Sequence, residues 1–223
     1  MYKTLILLLV FLISIDGHPQ DWFSAHQEGE ELPGYILGIA GDTIKGTIRY
    51  DYPIVMQKRI YFSPGTNSLE RKTYNPDNIR GFAVDNRVWV STPANMETYD
   101  GTFAFKRFGI LEYGNGPVLL IRIFDEADKH KRKINSEEAE KEYENIALQY
   151  PENSVDHLYI RKMDGAAEPI NSKPFRKSFV KRIRSYVGDH DALMQKIESK
   201  QYRIGDIRTI VSEYNAWFGS KYR

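Results

Sequence analysis

Near residue 171 the spacing of apolar side chains changes from every second position to a helical repeat, and that change of period constrains the fold most. Beyond it, Ser172 is placed to cap a helix with Pro174 in its first turn. At 100° per residue, Phe175, Phe179, Val180, Ile183, Tyr186 and Val187 fall within an arc of about 140°, the width of a core-facing stripe. Gly188-Asp189 interrupts the pattern, with Asp189 expected to cap a short second helix marked by Leu193 and Ile197. In a third helix Ile207, Ile210, Val211, Tyr214, Trp217 and Phe218 share an arc of about 120°. Stripes so apolar need a partner, and the rest of the chain predicts a sheet.

Before residue 171 the pattern is one of hairpins. Gly41-Asp42 fits a two-residue turn needing positive φ, which pairs Ala40 with Thr43, Ile39 with Ile44, Leu37 with Gly46 and Tyr35 with Ile48. One side of that ribbon then collects Tyr35, Leu37, Ile39, Ile44 and Ile48, and a slip of one residue would place them in water. A second turn at Asp85-Asn86 pairs Val84 with Arg87, Ala83 with Val88, Phe82 with Trp89 and Gly81 with Val90. Further short β-branched or aromatic runs lie at Arg59–Ser63, Leu69–Tyr74, Thr102–Phe108, Val118–Phe124, His157–Met163 and Glu168–Ile170, divided by Pro, Gly, Asn and Asp. The expected class is α+β: a mostly antiparallel sheet or small, partly open barrel, followed by a three-helix segment packed on it.

The domain reading follows from these periods. Residues 1–17 are expected to be a signal peptide, because Lys3 precedes an uncharged run, Thr4–Ile15, that is too short for a membrane span and suits an h-region. Residues 18–33 form a polar arm, 34–170 the β-rich part, and 171–223 the helical segment. Within the β-rich part, Asn135-Ser136-Glu137-Glu138 resembles a capping box that opens a helical insertion near 136–149. Five acids lie between 137 and 144, as expected of a solvated helix face. The chain has no cysteine, which removes disulfides, thiol chemistry and lipid attachment at the leader's end. The expected product is exported, periplasmic or extracellular, not a lipoprotein, and without a later transmembrane segment. An aromatic content of 13% and a net charge of +1 argue against disorder.

Catalytic templates fail. Ile121–Asp128 ends in the string Asp125-Glu126-Ala127-Asp128, but no phosphate-binding G-x-x-x-x-G-K-[ST] loop precedes it. Nucleophile-elbow, zinc-protease, dinucleotide and calcium-loop patterns are missing, so no catalytic residue, metal ligand or cofactor is assigned. The five histidines are scattered. Asp156-His157 and Asp189-His190-Asp191 can each orient an imidazole, yet neither has an identifiable nucleophile.

Binding is easier to place. Residues 171–223 carry twelve Lys and Arg against five Asp and Glu, a balance of +7, while 18–170 carry a balance of −6. Opposite halves attract within one molecule, or the cations face outward to an anionic envelope partner. On the second reading Lys177, Lys181 and Arg184, opposite the apolar stripe, are binding candidates. Trp89 alternates with Arg87 and Ser91, which makes Arg87 and Trp89 a second pair: a wet surface for stacking, or a buried aromatic. Nucleic acid is disfavoured by export and by near-neutral overall charge.

Three strings carry a resemblance: G-Y-I-x-x-x-x-G-D-T-I-x-G-x-I from Gly34, Tyr74-Asn75-Pro76-Asp77-Asn78-Ile79-Arg80-Gly81-Phe82, and Ile210-Val211-Ser212-Glu213-Tyr214-Asn215. Together they resemble a family of exported, uncharacterised proteins from Bacteroidota. The resemblance implies a cell-envelope or secreted setting and brings no activity or catalytic residue. The function expected is a non-enzymatic envelope protein that binds an envelope protein or an anionic polymer. The alternatives are a hydrolase with an unrecognised acidic site and an envelope structural or assembly factor. Asn215 has no evident local duty beyond capping or bonding to a sheet edge.

Overall fold

Short turns between successive strands force antiparallel pairing, because a parallel crossover needs a dozen or more residues. A computed structural model describes residues 26–65, 70–98, 101–126, 154–163 and 165–222. The leader, half of the arm (18–25) and the expected insertion at 136–149 lie outside these residues. The strands are β1 (Glu31–Gly38), β2 (Thr43–Arg49), β3 (Ile60–Pro64), β4 (Lys72–Tyr74), β5 (Ile79–Val84), β6 (Arg87–Thr98), β7 (Gly101–Tyr113), β8 (Val118–Glu126), β9 (Ser154–Lys162) and β10 (Glu168–Pro169). Among the described residues they form one ten-stranded sheet in the order β10-β9-β8-β7-β6-β5-β1-β2-β3-β4. Every neighbouring pair is antiparallel, and the sheet is open rather than closed into a small barrel.

A short helix, α1 (Pro53–Met56), separates β2 from β3, and the chain after the sheet is helical: α2 (Lys173–Lys177), α3 (Phe179–Val187), α4 (Asp191–Glu198) and α5 (Ile207–Lys221). The fold is therefore α+β. Four helices stand where three were expected, because Ser178 (φ −120°, ψ 33°) breaks the first into α2 and α3. Ser172 does cap, accepting the Phe175 N–H at 3.3 Å. Asp189 does not cap α4, whose N-cap is His190; its carboxylate accepts the Tyr214 hydroxyl at 2.8 Å instead. No described helix is long and apolar enough to cross a membrane.

The two turns differ in outcome. Asp85 (φ 49°) and Asn86 (φ 57°) make the two-residue turn, and the β5–β6 register is the expected one. The β1–β2 register is shifted by three residues: Leu37 pairs with Thr43, Ile36 with Ile44, Gly34 with Gly46 and Leu32 with Ile48. Gly41 (φ 94°) donates its N–H to the Gly38 carbonyl, and the Gly38 N–H donates to the Asp42 carbonyl, so the loop holds three residues rather than two. The face of β1 inverts as a result. Leu32, Ile36 and Ile48 are buried, whereas Ile39 and Ile44 are 57% and 39% exposed. The Gly34–Gly46 pair explains itself by crowding, since a Cβ at Gly34 would lie 2.4 Å from the Ala83 carbonyl oxygen and one at Gly46 2.1 Å from that of Ser63.

Three apolar clusters hold these layers together. Val118 and Leu120 of β8 and Ile160 of β9 pack against Phe175, Ile183 and Val211 of the helices. On the other side of β8, Leu119, Ile121 and Ile123 pack with Tyr159, Ala94 and Ala167. The third cluster gathers Ile36, Ile48, Phe62, Phe82, Trp89 and Phe124 inside the N-terminal strands. Burial on both faces is why residues 118–124 read as a nearly continuous apolar run. Among the described residues the β7–β8 pairing stops at the Ile110–Arg122 pair, and Gln57 bridges the two strands beyond it. Its carbonyl accepts the Phe108 N–H at 2.8 Å, while its side chain accepts the Phe124 N–H at 3.1 Å and donates to the Phe124 carbonyl at 2.7 Å.

Candidate functional site

A helix that packs one face on a sheet presents the other to solvent, and in α2 and α3 that outer face is basic. Phe175, Ile183, Tyr186 and Val187 turn inward and are buried, leaving Lys173, Arg176, Lys177, Lys181 and Arg184 exposed. Lys181 and Arg184, three residues apart, share one side of α3. Val180, expected in the apolar stripe, stands 38% exposed among these cations. Phe179 instead packs beside Phe175 in the helix-covered cluster, with ring centroids 6.3 Å apart.

Ion pairing divides the cations of the helical layer. Arg182 donates to Glu168 at 3.0 Å, Lys196 to Glu213 at 2.6 Å and Arg208 to Glu112 at 2.9 Å, and Arg184 pairs with Glu198. Among the described residues no ion pair forms to Lys173, Arg176, Lys177 or Lys181. Three of the expected binding residues, Lys177, Lys181 and Arg184, therefore sit on one exposed layer, with the first two unpaired among the described residues. The two halves meet charge to charge at Arg182–Glu168 and Arg208–Glu112, away from these two lysines.

Arg87 and Trp89 lie elsewhere. Trp89 is 0% exposed, stacked on Phe82 with ring centroids 5.3 Å apart and planes 13° off parallel, so it belongs to the core and offers no stacking surface. Arg87 is half-buried, and burial first, then Arg122 nearby, lowers its pKa against the opposing pull of Asp85 and Glu112. It borders a charged seam that the sequence alone does not announce. Glu112 is 12% exposed; one carboxylate oxygen accepts Arg122 Nε at 2.6 Å and the other accepts Arg208 Nε at 2.9 Å. The register shift between Leu111 and Tyr113 aims Glu112 at both arginines. On β8, Arg122 lies between Leu120 of the helix-covered cluster and Phe124 of the N-terminal one, so the ions fill the junction of two apolar cores.

Asp189 and His190, which the sequence offers as an acid–imidazole pair, are both engaged within the fold. Asp189 is held by Tyr214, and the His190 ring stacks on Trp217 at 4.4 Å with planes 20° apart. His157 lies on β9, and the side chain of Asp156 is outside what is described. The 121–126 stretch is simply β8, and positions 127 and 128 fall outside the described residues. Among the described residues no group of His, Asp or Glu is arranged to hold a metal ion. No protein-family model, curated protein or solved structure matches the chain.

Proposed function

We propose that this chain is an exported, non-enzymatic envelope protein that binds an anionic partner, an envelope protein or polymer, on the outer face of α2 and α3. The observation that carries the proposal is the contrast in pairing: Arg182, Arg184, Lys196 and Arg208 each meet a carboxylate, whereas Arg176, Lys177 and Lys181, beside the exposed Val180, meet none among the described residues. Long cationic side chains left unpaired and exposed are free to take an external carboxylate or phosphate without first losing an internal one.

Support for the setting comes from the uncharged run Thr4–Ile15 behind Lys3, which suits a cleaved leader, and from the resemblance to exported Bacteroidota proteins. A periplasmic or extracellular address follows from those two features together. Nucleic acid is not the proposed partner.

The test is co-sedimentation of the exported protein with washed envelope fractions at about 50 mM salt, comparing it with K177E/K181E. Two charge reversals are expected to lower retention roughly tenfold or more, since each cation near an anionic surface contributes about 1 kcal/mol. Salt at about 0.5 M should erase the difference by screening. Equal retention of the two proteins at low salt would remove the proposal.

A further inference from the structure

The segment ahead of β1 carries a histidine set between two acids, and we propose that His26 is a protonation-operated clasp fixing this segment to the β5–β6 turn. Nδ1 lies 3.2 Å from a Glu30 carboxylate oxygen and Nε2 lies 3.3 Å from one of Asp85. The side chain is only 17% exposed, and its ring rests against Tyr50 with centroids 5.5 Å apart. Glu30 approaches from the histidine's own segment, Asp85 from the turn and Tyr50 from the end of β2. Arg87 and Asp51 belong to the same electrostatic neighbourhood through Tyr50.

Donor counting decides what such a ring can do. A neutral imidazole has one N–H and one lone pair, whereas the imidazolium has two N–H groups. A carboxylate only accepts, so an acid at each ring nitrogen is satisfied on both sides by the imidazolium alone. On losing the proton the ring must turn a lone pair toward one of the two acids, and one tie becomes repulsive. A proton on the ring therefore closes the clasp and its loss loosens it.

The rest of the attachment does not depend on that proton. Gly29 N–H donates to the Tyr50 carbonyl at 2.9 Å, and Tyr50 N–H donates to the Glu30 carbonyl at 2.7 Å. Loosening therefore frees residues 26–28 while leaving β1 in the sheet. It uncovers the edge of Tyr50 at one end of the N-terminal core.

The test is amide hydrogen exchange on the whole protein, corrected for intrinsic rates, at pH about 5.5 and about 8. Protection of the Gln27 amide, whose N–H donates to the same Glu30 oxygen at 3.2 Å, should be roughly three- to fivefold greater at the lower pH, as one partly exposed charged tie allows, while that of Gly29 stays unchanged. The ratio should fall to about one in H26Q and in D85N. Asn tolerates the left-handed φ of 49° at position 85, so D85N keeps the turn. Protection of core amides in β5 and β6 reports whether each variant is folded. A ratio near one in the wild type, or one that persists in either folded variant, overturns the proposal.

Discussion

Asn215 stands in for a missing strand. At the start of β8 its side-chain oxygen accepts the Val118 N–H at 3.3 Å and its nitrogen donates to the Val118 carbonyl at 2.7 Å. Both backbone groups are buried beneath α5, where an unmet donor or acceptor costs about 1–3 kcal/mol. Asn215→Ala is therefore expected to lower stability by roughly 2–3 kcal/mol in urea unfolding, and a loss under about 0.5 kcal/mol would show the pairing to be dispensable. No periodicity reveals this duty, because the partner lies 97 residues away; only the position of Asn215 next to the apolar stripe marks it as inward. Asp51 poses the opposite case. It is buried, with Arg49 3.9 Å away, and burial outweighs that cation to raise its pKa. A carboxyl whose pKa is raised by folding binds its proton more tightly in the folded state, so its ionisation destabilises the fold as pH rises. Asp51→Asn should thus be more stable than the wild type at pH 7, with the advantage shrinking toward pH about 3 in denaturant titrations. An advantage that grows on acidification would contradict the assignment.

Between elements, turn chemistry and charge placement differ in how far the residues announce them. The Asp85-Asn86 turn is legible because two consecutive left-handed residues suit Asp and Asn and match the twist of the strands. At Gly38–Asp42 one glycine serves equally in a two- or a three-residue loop, and the alternating apolar residues fit both registers. Burial of Leu32 and Ile36 settles the choice through cross-chain contacts that local sequence does not contain. Gly41→Ala should cost about 1 kcal/mol because alanine resists φ of 94°. The Glu112 seam is hidden for a related reason: a bulge, which shifts the alternation, decides where its side chain points. Removing its charge takes from Arg122 and Arg208 the carboxylate they share, so Glu112→Gln is expected to cost roughly 1–3 kcal/mol and lower the melting temperature by several degrees. A shift within error would mean that the two apolar cores meet without help from the ions.

For the molecule as a whole, the change of period near residue 171 foretells a sheet followed by helices, and the helical stripes do pack on β8 and β9. The sheet's ten-strand order and its openness depend on β1 pairing with β5, a contact between segments some 45 residues apart that no run of residues encodes. The binding candidates divide for a physical reason. Lys177, Lys181 and Arg184 are opposite a stripe long enough to define an outside, whereas Arg87 and Trp89 lie on a strand whose neighbours decide which face is wet. The central claim is that unpaired cations on α2 and α3 hold an anionic envelope partner, and envelope retention of the wild type against K177E/K181E at about 50 mM salt tests it most directly. Retention of the wild type with a roughly tenfold loss in the folded variant is the predicted result. Equal retention of both proteins, or none by the wild type, would contradict it.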